Sequence, residues 1–222
     1  MKLILFDIDG TLVWTRGAGR EATHLAMLEV FGTVGALVDH KFGGKTDWQT
    51  LMELLHVAGF TYDEIERRMP AYNAAMERGL SSIIHQYDVQ PCPGAIDLVE
   101  SLRRRTDVGL GLVTGNVVST APIKLRAAGF DPAWFPVGAY GSEALERDNL
   151  PALAVARAVE YYRYPFAPTE VIVIGDTLAD IACARALGAV AVAVETGFAQ
   201  PGDLDGADYR LKDLTEFSSV LN

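Results

Sequence analysis

The chain is poor in cysteine, in positive charge and in long apolar runs. Cys92 and Cys183 are the two cysteines among 222 residues. Two distant thiols build neither a zinc-ligand spacing nor a disulfide framework, and they fit a reduced, cytoplasmic protein. No apolar stretch approaches the roughly 20 residues of a membrane span. The opening apolar run is cut by Asp7 and Asp9 too early for a signal peptide. Nineteen Lys and Arg stand against 29 Asp and Glu, a formal charge of −10, which argues against non-specific nucleic-acid binding. A small phosphorylated ligand remains compatible, because local cations outweigh net charge at a site. His24, His40, His56 and His85 have no metal-ligand spacing and read as structural or solvated. There are no repeats and no low-complexity tract.

What is present is concentrated at the ends of three short apolar runs. Residues 2–6 are followed by Asp7-Ile8-Asp9-Gly10-Thr11, residues 108–113 by Thr114-Gly115-Asn116, and residues 171–174 by Gly175-Asp176-Thr177-Leu178-Ala179-Asp180. Short β-prone runs broken by Asp and Gly read as buried strands entering loops. Carboxylates at the end of a core strand are costly to desolvate unless a cation or hydrogen bonds compensate. In open α/β sheets the carboxyl ends of strands are where ligands bind. The pattern therefore marks a site, with a metal as the expected compensating charge.

From about residue 91 to the end, strand and helix patterns alternate. Helices are expected over 94–105, 122–128, 150–162, 178–187 and 213–221, with strands over 108–113, 136–140, 171–174 and 189–194. Such alternation implies parallel strands with right-handed crossovers. Between 14 and 90 the pattern is helical, over 20–31, 47–58 and 63–87, the last broken before Pro70. No convincing strand lies between these helices.

The three motifs, in this order and spacing, resemble those of the haloacid dehalogenase superfamily of phosphoryl-transfer enzymes, and the resemblance spans the whole chain. It implies a three-layer Rossmann-like α/β core (residues 1–14 and 91–222) with an inserted helical cap (15–90). Gly17, Gly19, Pro91, Pro93 and Gly94 are then hinge candidates. It also implies roles. Asp7 is the nucleophile that forms an aspartyl-phosphate. Asp9 is the general acid and base, its backbone carbonyl contributing to the metal site. Thr114, Gly115 and Asn116 bind phosphoryl oxygens. Asp176 and Asp180 complete the metal set with Asp7 and Asp9. Four carboxylates and a phosphate cannot converge without a cation, and oxygen-only ligands point to Mg²⁺. Asp176 and Asp180 also fit a helix N-cap and first turn, and both readings can hold together.

The superfamily needs one further cation between its second and third motifs, commonly Lys. No lysine occurs between Lys124 and Lys212, and Lys124 falls too soon after Thr114. Arg147, just before a Pro-containing helix start, is the candidate, since Arg holds phosphate bidentately. In the helical segment, Phe42-Gly43-Gly44-Lys45-Thr46-Asp47 lacks the first Gly and the strand of a nucleotide-binding loop. It resembles instead the Gly-Lys-Thr-Asp of phosphoglycolate phosphatase-like members, with Lys45 and, more weakly, Arg20 and Trp14 as substrate contacts.

The expected activity is a Mg²⁺-dependent phosphatase acting on a small, phosphoglycolate-like metabolite. A sugar-phosphate mutase of the β-phosphoglucomutase type shares every core residue. A non-catalytic binding protein would have no use for all these acids. A dehalogenase would not need Asp9, and a phosphonate hydrolase would want an imine-forming lysine, Lys41 or Lys45.

Overall fold

The computed structural model describes residues 1–197, 199–200 and 202–221. In chain order its elements are β1 (Lys2–Phe6), β2 (Val13–Trp14), α1 (Ala18–Phe31), α2 (Asp47–His56), α3 (Tyr62–Ile83), β3 (Gln90–Pro91), α4 (Ala95–Leu102), β4 (Val108–Thr114), α5 (Ala121–Ala127), β5 (Val137–Tyr140), α6 (Leu150–Tyr162), β6 (Val171–Gly175), α7 (Leu178–Leu187), β7 (Val190–Val194) and β8 (Tyr209–Leu211).

Alternation along β1 sets the layers. Ile4 and Phe6 face one apolar cluster, with Val99 and Leu102 of α4 and Leu125 of α5. Leu3 and Leu5 face the other, with Leu150, Ala154 and Ala158 of α6 and Ile181 of α7. A strand buried on both faces has no polar side to show, which is why β1, β4 and β6 read as continuous apolar runs. The six-stranded sheet has the order β5-β4-β1-β6-β7-β8, and its pairings are parallel. The chain builds one side of β1 with β4 and β5, then crosses to the other with β6 to β8. The carboxyl ends of β1, β4 and β6 therefore meet where the strand order reverses, the usual ligand crevice of such sheets.

Helices α1, α2 and α3 gather their own apolar cluster around Met27, Leu51, Leu54, Ile65 and Tyr72, which reaches Val117 after β4. Where this helical segment leaves and rejoins the sheet, β2 and β3 pair antiparallel, a two-residue ladder too short to leave a sequence pattern.

Two expectations need correction. Helix α3 runs through Pro70 without a break. Pro70 and Glu66, the residue four positions before it, are both exposed, so water can satisfy the carbonyl that the proline leaves unbonded. The helix starts firmly, since Thr61 and Glu64 form a reciprocal capping box. The carboxyl-terminal helix is a short 3-10 turn over Leu214–Ser219, pinned by the Asp213 side chain accepting from Thr215 N at 2.9 Å. The edge strand β8 has no counterpart in the sequence pattern. Its exposed Tyr209 and Arg210 give no apolar run.

Candidate active site

The three motif loops converge at one end of the sheet. Asp7, directly after β1, is nearly fully buried, as are Asp176 after β6 and Asp180 in the first turn of α7. One carboxylate oxygen from each lies within 4.8 Å of the others. Asp7 is anchored through its backbone, its amide donating to the Ile174 carbonyl at 2.9 Å. The Ile8 amide donates to Asp7 Oδ1 at 2.7 Å. Gly10 makes room for Asp176: a Cβ there would lie 2.6 Å from Asp176 Oδ2, and its φ of 84° disfavours other residues anyway. Thr11 Oγ1 approaches Asp176 Oδ1 at 3.5 Å.

Asp180 serves two partners. Its Oδ2 accepts from Thr177 N at 3.0 Å and from Thr177 Oγ1 at 2.7 Å, closing the N-terminus of α7. Its Oδ1 accepts from Arg147. The helix-capping reading and the site reading hold together in one residue.

Arg147 sits in a 3-10 turn immediately before α6 and is buried, 6% exposed. Its Nη2 lies 3.0 Å from Asp7 Oδ2 and bridges to Asp180. Burial opposes its charge, but Asp180 and Asp7 outweigh burial and hold the guanidinium protonated beyond its ordinary range. Three buried carboxylates thus cluster here, two of them, Asp7 and Asp180, paired with Arg147. Burial, only partly opposed by Arg147, pushes the Asp7 carboxyl up to about 6. An excess of close, buried carboxylate oxygens is what a hard divalent cation neutralises, so the residues present fit such an ion, with Asp7, Asp176 and Asp180 offering the oxygens.

The Asp9 carboxylate is not part of that cluster, and the metal contact expected of Asp9 is through its backbone carbonyl. Thr15 Oγ1 donates to Asp9 Oδ1 at 3.0 Å, while Asn116 Nδ2 and Lys124 Nζ donate to Oδ2 at 2.8 and 2.6 Å. Burial works against its charge, yet Lys124, Asn116 and Thr15 together keep its carboxyl below the usual range. Asn116 also donates to Thr114 Oγ1 at 2.7 Å, so the second motif is tied to Asp9 and set beside Asp7.

Lys124, set aside as too close to Thr114, and Asp47, named in the Gly-Lys-Thr-Asp segment without a role of its own, are the residues that sequence reasoning did not assign to the site. Lys124 lies on the buried face of α5, with Ala121 three residues before it and Leu125 beside it. A lysine on an apolar helical face was the available signal. Asp47, at the start of α2, accepts from Val117 N at 2.8 Å through Oδ2. Its own amide donates to Gly115 O at 2.8 Å. Thr46 caps α2 by accepting from Gln49 N and donates to Leu145 O at 3.0 Å. The fit is close: a Cβ on Gly115 would lie 2.0 Å from the Lys45 carbonyl oxygen.

Lys45 and Arg20 are not brought to the acid cluster. Lys45 Nζ pairs with Glu53 of α2. Arg20 donates to the carbonyls of Leu37, at 2.7 Å, and of His40, and its guanidinium lies 4.7 Å from the Phe42 ring centroid. Both brace the helical segment. Trp14 gives its indole N–H to Thr196 O at 2.8 Å. None of the four histidines joins the acid cluster.

A Rossmann-like α/β sheet with clustered acids at its switch point has the layout of an enzyme active site. Residues 1–188 match the family model described as haloacid dehalogenase-like hydrolase. The chain belongs to that family. It is 26% identical to protein CbbY of Rhodobacter capsulatus over 97% of this chain and 94% of that protein. Its fold resembles a protein of Lactobacillus plantarum assigned provisionally as a phosphoglycolate phosphatase (22% identity, 99% and 98% coverage, TM-score 0.71). It also resembles CbbY of Rhodobacter sphaeroides in complex with phosphate (20% identity, 98% and 96% coverage, TM-score 0.67). No helix of the described residues is long and apolar enough to cross a membrane.

Proposed function

We propose that this hydrolase is a Mg²⁺-dependent phosphatase of small phosphorylated metabolites, acting through an aspartyl-phosphate on Asp7. The observation that carries the reading is the pairing of Arg147 with both Asp7 and Asp180, with Asp176 beside them and Asp9 held apart on its own cation. It separates a nucleophilic carboxylate from a proton-handling one, the division of labour that two-step phosphoryl transfer needs.

Asp7, Asp176 and Asp180 would hold Mg²⁺, together with the backbone carbonyl of Asp9. The ion supplies charge neutralisation for an anionic nucleophile meeting an anionic phosphorus. An Asp7 carboxylate oxygen attacks phosphorus, the ester P–O bond breaks, and the leaving oxygen takes a proton from Asp9. Asp9 then takes a proton from water, whose oxygen attacks the same phosphorus and frees Asp7 and inorganic phosphate. Lys124 stabilises the ionised Asp9 that remains once the leaving oxygen has taken its proton, the form that then accepts a proton from water. Arg147 faces the transferring group from the side of Asp7, and Thr114 and Asn116 offer polar groups to its oxygens. Residues 15–90 act as the cap that covers this crevice, and the segment 45–47 is its point of attachment to the loop after β4.

The neighbour provisionally assigned as a phosphoglycolate phosphatase and the phosphate-bound CbbY support a phosphomonoester substrate. Incubation with p-nitrophenyl phosphate tests the reading. Phosphate release that chelation abolishes and Mg²⁺ restores is expected. Full turnover in excess chelator rejects metal dependence, and conversion of a sugar phosphate to its isomer without phosphate release assigns the mutase activity instead.

A further inference from the structure

The loop after β7 reaches the acid cluster and has no part in the chemistry above. Strand β7 pairs in parallel with β6, Ala193 opposite Gly175, so Asp176 and the residues after Val194 emerge side by side from the sheet. Gly197 lies against Asp176: a Cβ there would stand 1.6 Å from Asp176 Oδ2. A Cβ on Gly10 would stand 2.6 Å from the same oxygen. The carboxylate of Asp176, a residue 1% exposed, is therefore packed against the main chains of two separate loops. Gly10 has a left-handed φ as well, but Gly197 does not. At Gly197 the space taken by Asp176 is by itself what excludes a side chain.

Thr196 joins these two loops. Its hydroxyl donates to Gly10 O at 2.6 Å, and its carbonyl accepts the Trp14 indole N–H at 2.8 Å. The turn after β1 is otherwise bonded largely to itself. Ile8 O accepts from the amides of Thr11, Leu12 and Val13, and Gly10 N donates to Val13 O at 3.0 Å. Such bonds fix the shape of the turn but not its distance from β7. The Thr196 hydroxyl fixes that distance, and with it the approach of Gly10 to Asp176.

The electrostatics give this arrangement a use. Asp7, Asp176 and Asp180 bring three buried carboxylates within 4.8 Å, and like charges that close push one another apart. A carboxylate with room to swing would turn away and have to be brought back when an ion binds. Packing that already holds it lowers that ordering cost.

We infer that Thr196 and Gly197 are positioning residues of the metal site: Gly197 seats the Asp176 carboxylate, and the Thr196 hydroxyl keeps Gly10 against it, so that the ligands stand ready before a divalent cation arrives. This rests on the reading of Asp7, Asp176 and Asp180 as the ligands of Mg²⁺. Neither positioning residue handles a proton or the transferring phosphorus.

The test measures Mg²⁺ affinity of the whole chain by isothermal titration calorimetry, beside kcat for p-nitrophenyl phosphate at saturating Mg²⁺. Thr196→Val removes the donor and keeps the shape. Its affinity should fall about three- to tenfold, what one ordinary hydrogen bond is worth, with kcat near native once the ion is saturating. Thr196→Ser keeps the hydroxyl and should restore the affinity. Gly197→Ala should weaken binding on the order of 10–100-fold, the range typical of groups that orient metal ligands. Urea unfolding in chelator provides the control. A merely structural role lowers metal-free stability in these variants and leaves the affinity of the folded chain unmoved, a result that overturns the inference. Equal losses in Thr196→Ser and Thr196→Val remove the hydroxyl from it. If the native chain binds no Mg²⁺, the metal reading falls first and this one with it, whereas native binding that both Thr196→Val and Gly197→Ala share sinks this inference alone.

Discussion

Lys124 Nζ donates to Asp9 Oδ2 at 2.6 Å, joining the helix after β4 to the loop after β1 across 115 positions of sequence. The lysine is 5% exposed and the aspartate 33%, so the pair is shielded mainly from one side. Arg147 makes the corresponding pair with Asp7 at 3.0 Å. Each of the two aspartates of the first motif thus has its own cation, and the two cations come from different crossovers of the sheet.

Replacing Lys124 separates proton handling from nucleophilic attack. Lys124→Met should leave Asp9 without its cation while conserving much of the apolar stem of the side chain. The expected result is a fall in kcat of about 10²–10⁴-fold, the range typical of general acid–base catalysis. The acidic limb of the pH–rate profile should move upward as Asp9 loses the charge that keeps it ionised. A profile that stays in place with unchanged kcat would assign Lys124 to packing alone.

Arg147→Ala should weaken both fold and turnover. It strands Asp7 and Asp180 as buried carboxylates without their guanidinium, and breaking such a pair costs on the order of 3–5 kcal/mol. Urea unfolding without metal measures the loss. With Mg²⁺ present, kcat/KM should fall by about 10²–10³, like loss of one preorganised donor. Arg147→Lys should restore part of each, keeping the charge without the fork.

The raised carboxyl of Asp7 makes metal-free stability depend on pH with a definite sign. Folding lifts its pKa from 3.8 to about 6, so between those values the folded chain binds more protons than the unfolded one. This contribution is present in full at low pH and is lost as pH rises through about 6. Asp7→Asn removes it. In chelator, the variant should gain on the native chain by roughly 1–3 kcal/mol between pH 4.5 and 7.5, read by urea unfolding at the two pH values. A constant difference would mean that Asp7 is ordinary in acidity.

Metal affinity should follow from the same group. Binding to a carboxylate requires its proton to leave, so the apparent affinity for Mg²⁺ should fall by up to tenfold per pH unit below about 6. Thermal shift against Mg²⁺ concentration at pH 5, 6 and 7.5 measures this. The Asp7→Asn variant should bind weakly at all three.

Gly115→Ala tests the attachment of the helical segment. Its Cβ would sit 2.0 Å from Lys45 O, a backbone atom that cannot rotate away. The segment 45–47 must shift, loosening the bonds of Asp47 to Gly115 O and Val117 N. A lowered Tm, a raised KM and a smaller effect on kcat are expected, and a variant that behaves as native would show that the segment yields freely.

How much of this was legible depends on the range of the interactions. Strands β1, β4 and β6 were readable because burial on both faces makes them continuous apolar runs. Helices α6 and α7 were readable because Pro151 and Gly188 punctuate them locally. The acids Asp7, Asp176 and Asp180 were readable because a carboxylate following a buried strand conflicts with its surroundings unless it is used. Pro70 misled because local sterics predict a break, while the exposure of Glu66 and Pro70, which lets water relieve it, belongs to the packed molecule.

The sequence by itself determined the identity and order of these strands and the acids at their ends, since both are properties of a few adjacent residues. Tertiary structure alone decided the partners. That Lys124 meets Asp9, that Arg147 lies between Asp7 and Asp180, that Lys45 is spent on Glu53 and that Asp47 closes on Val117 are all consequences of strand order and helix docking. Ion pairs over such separations form only when the sheet has fixed both ends. No local propensity encodes a distance between residues that the chain itself does not hold together.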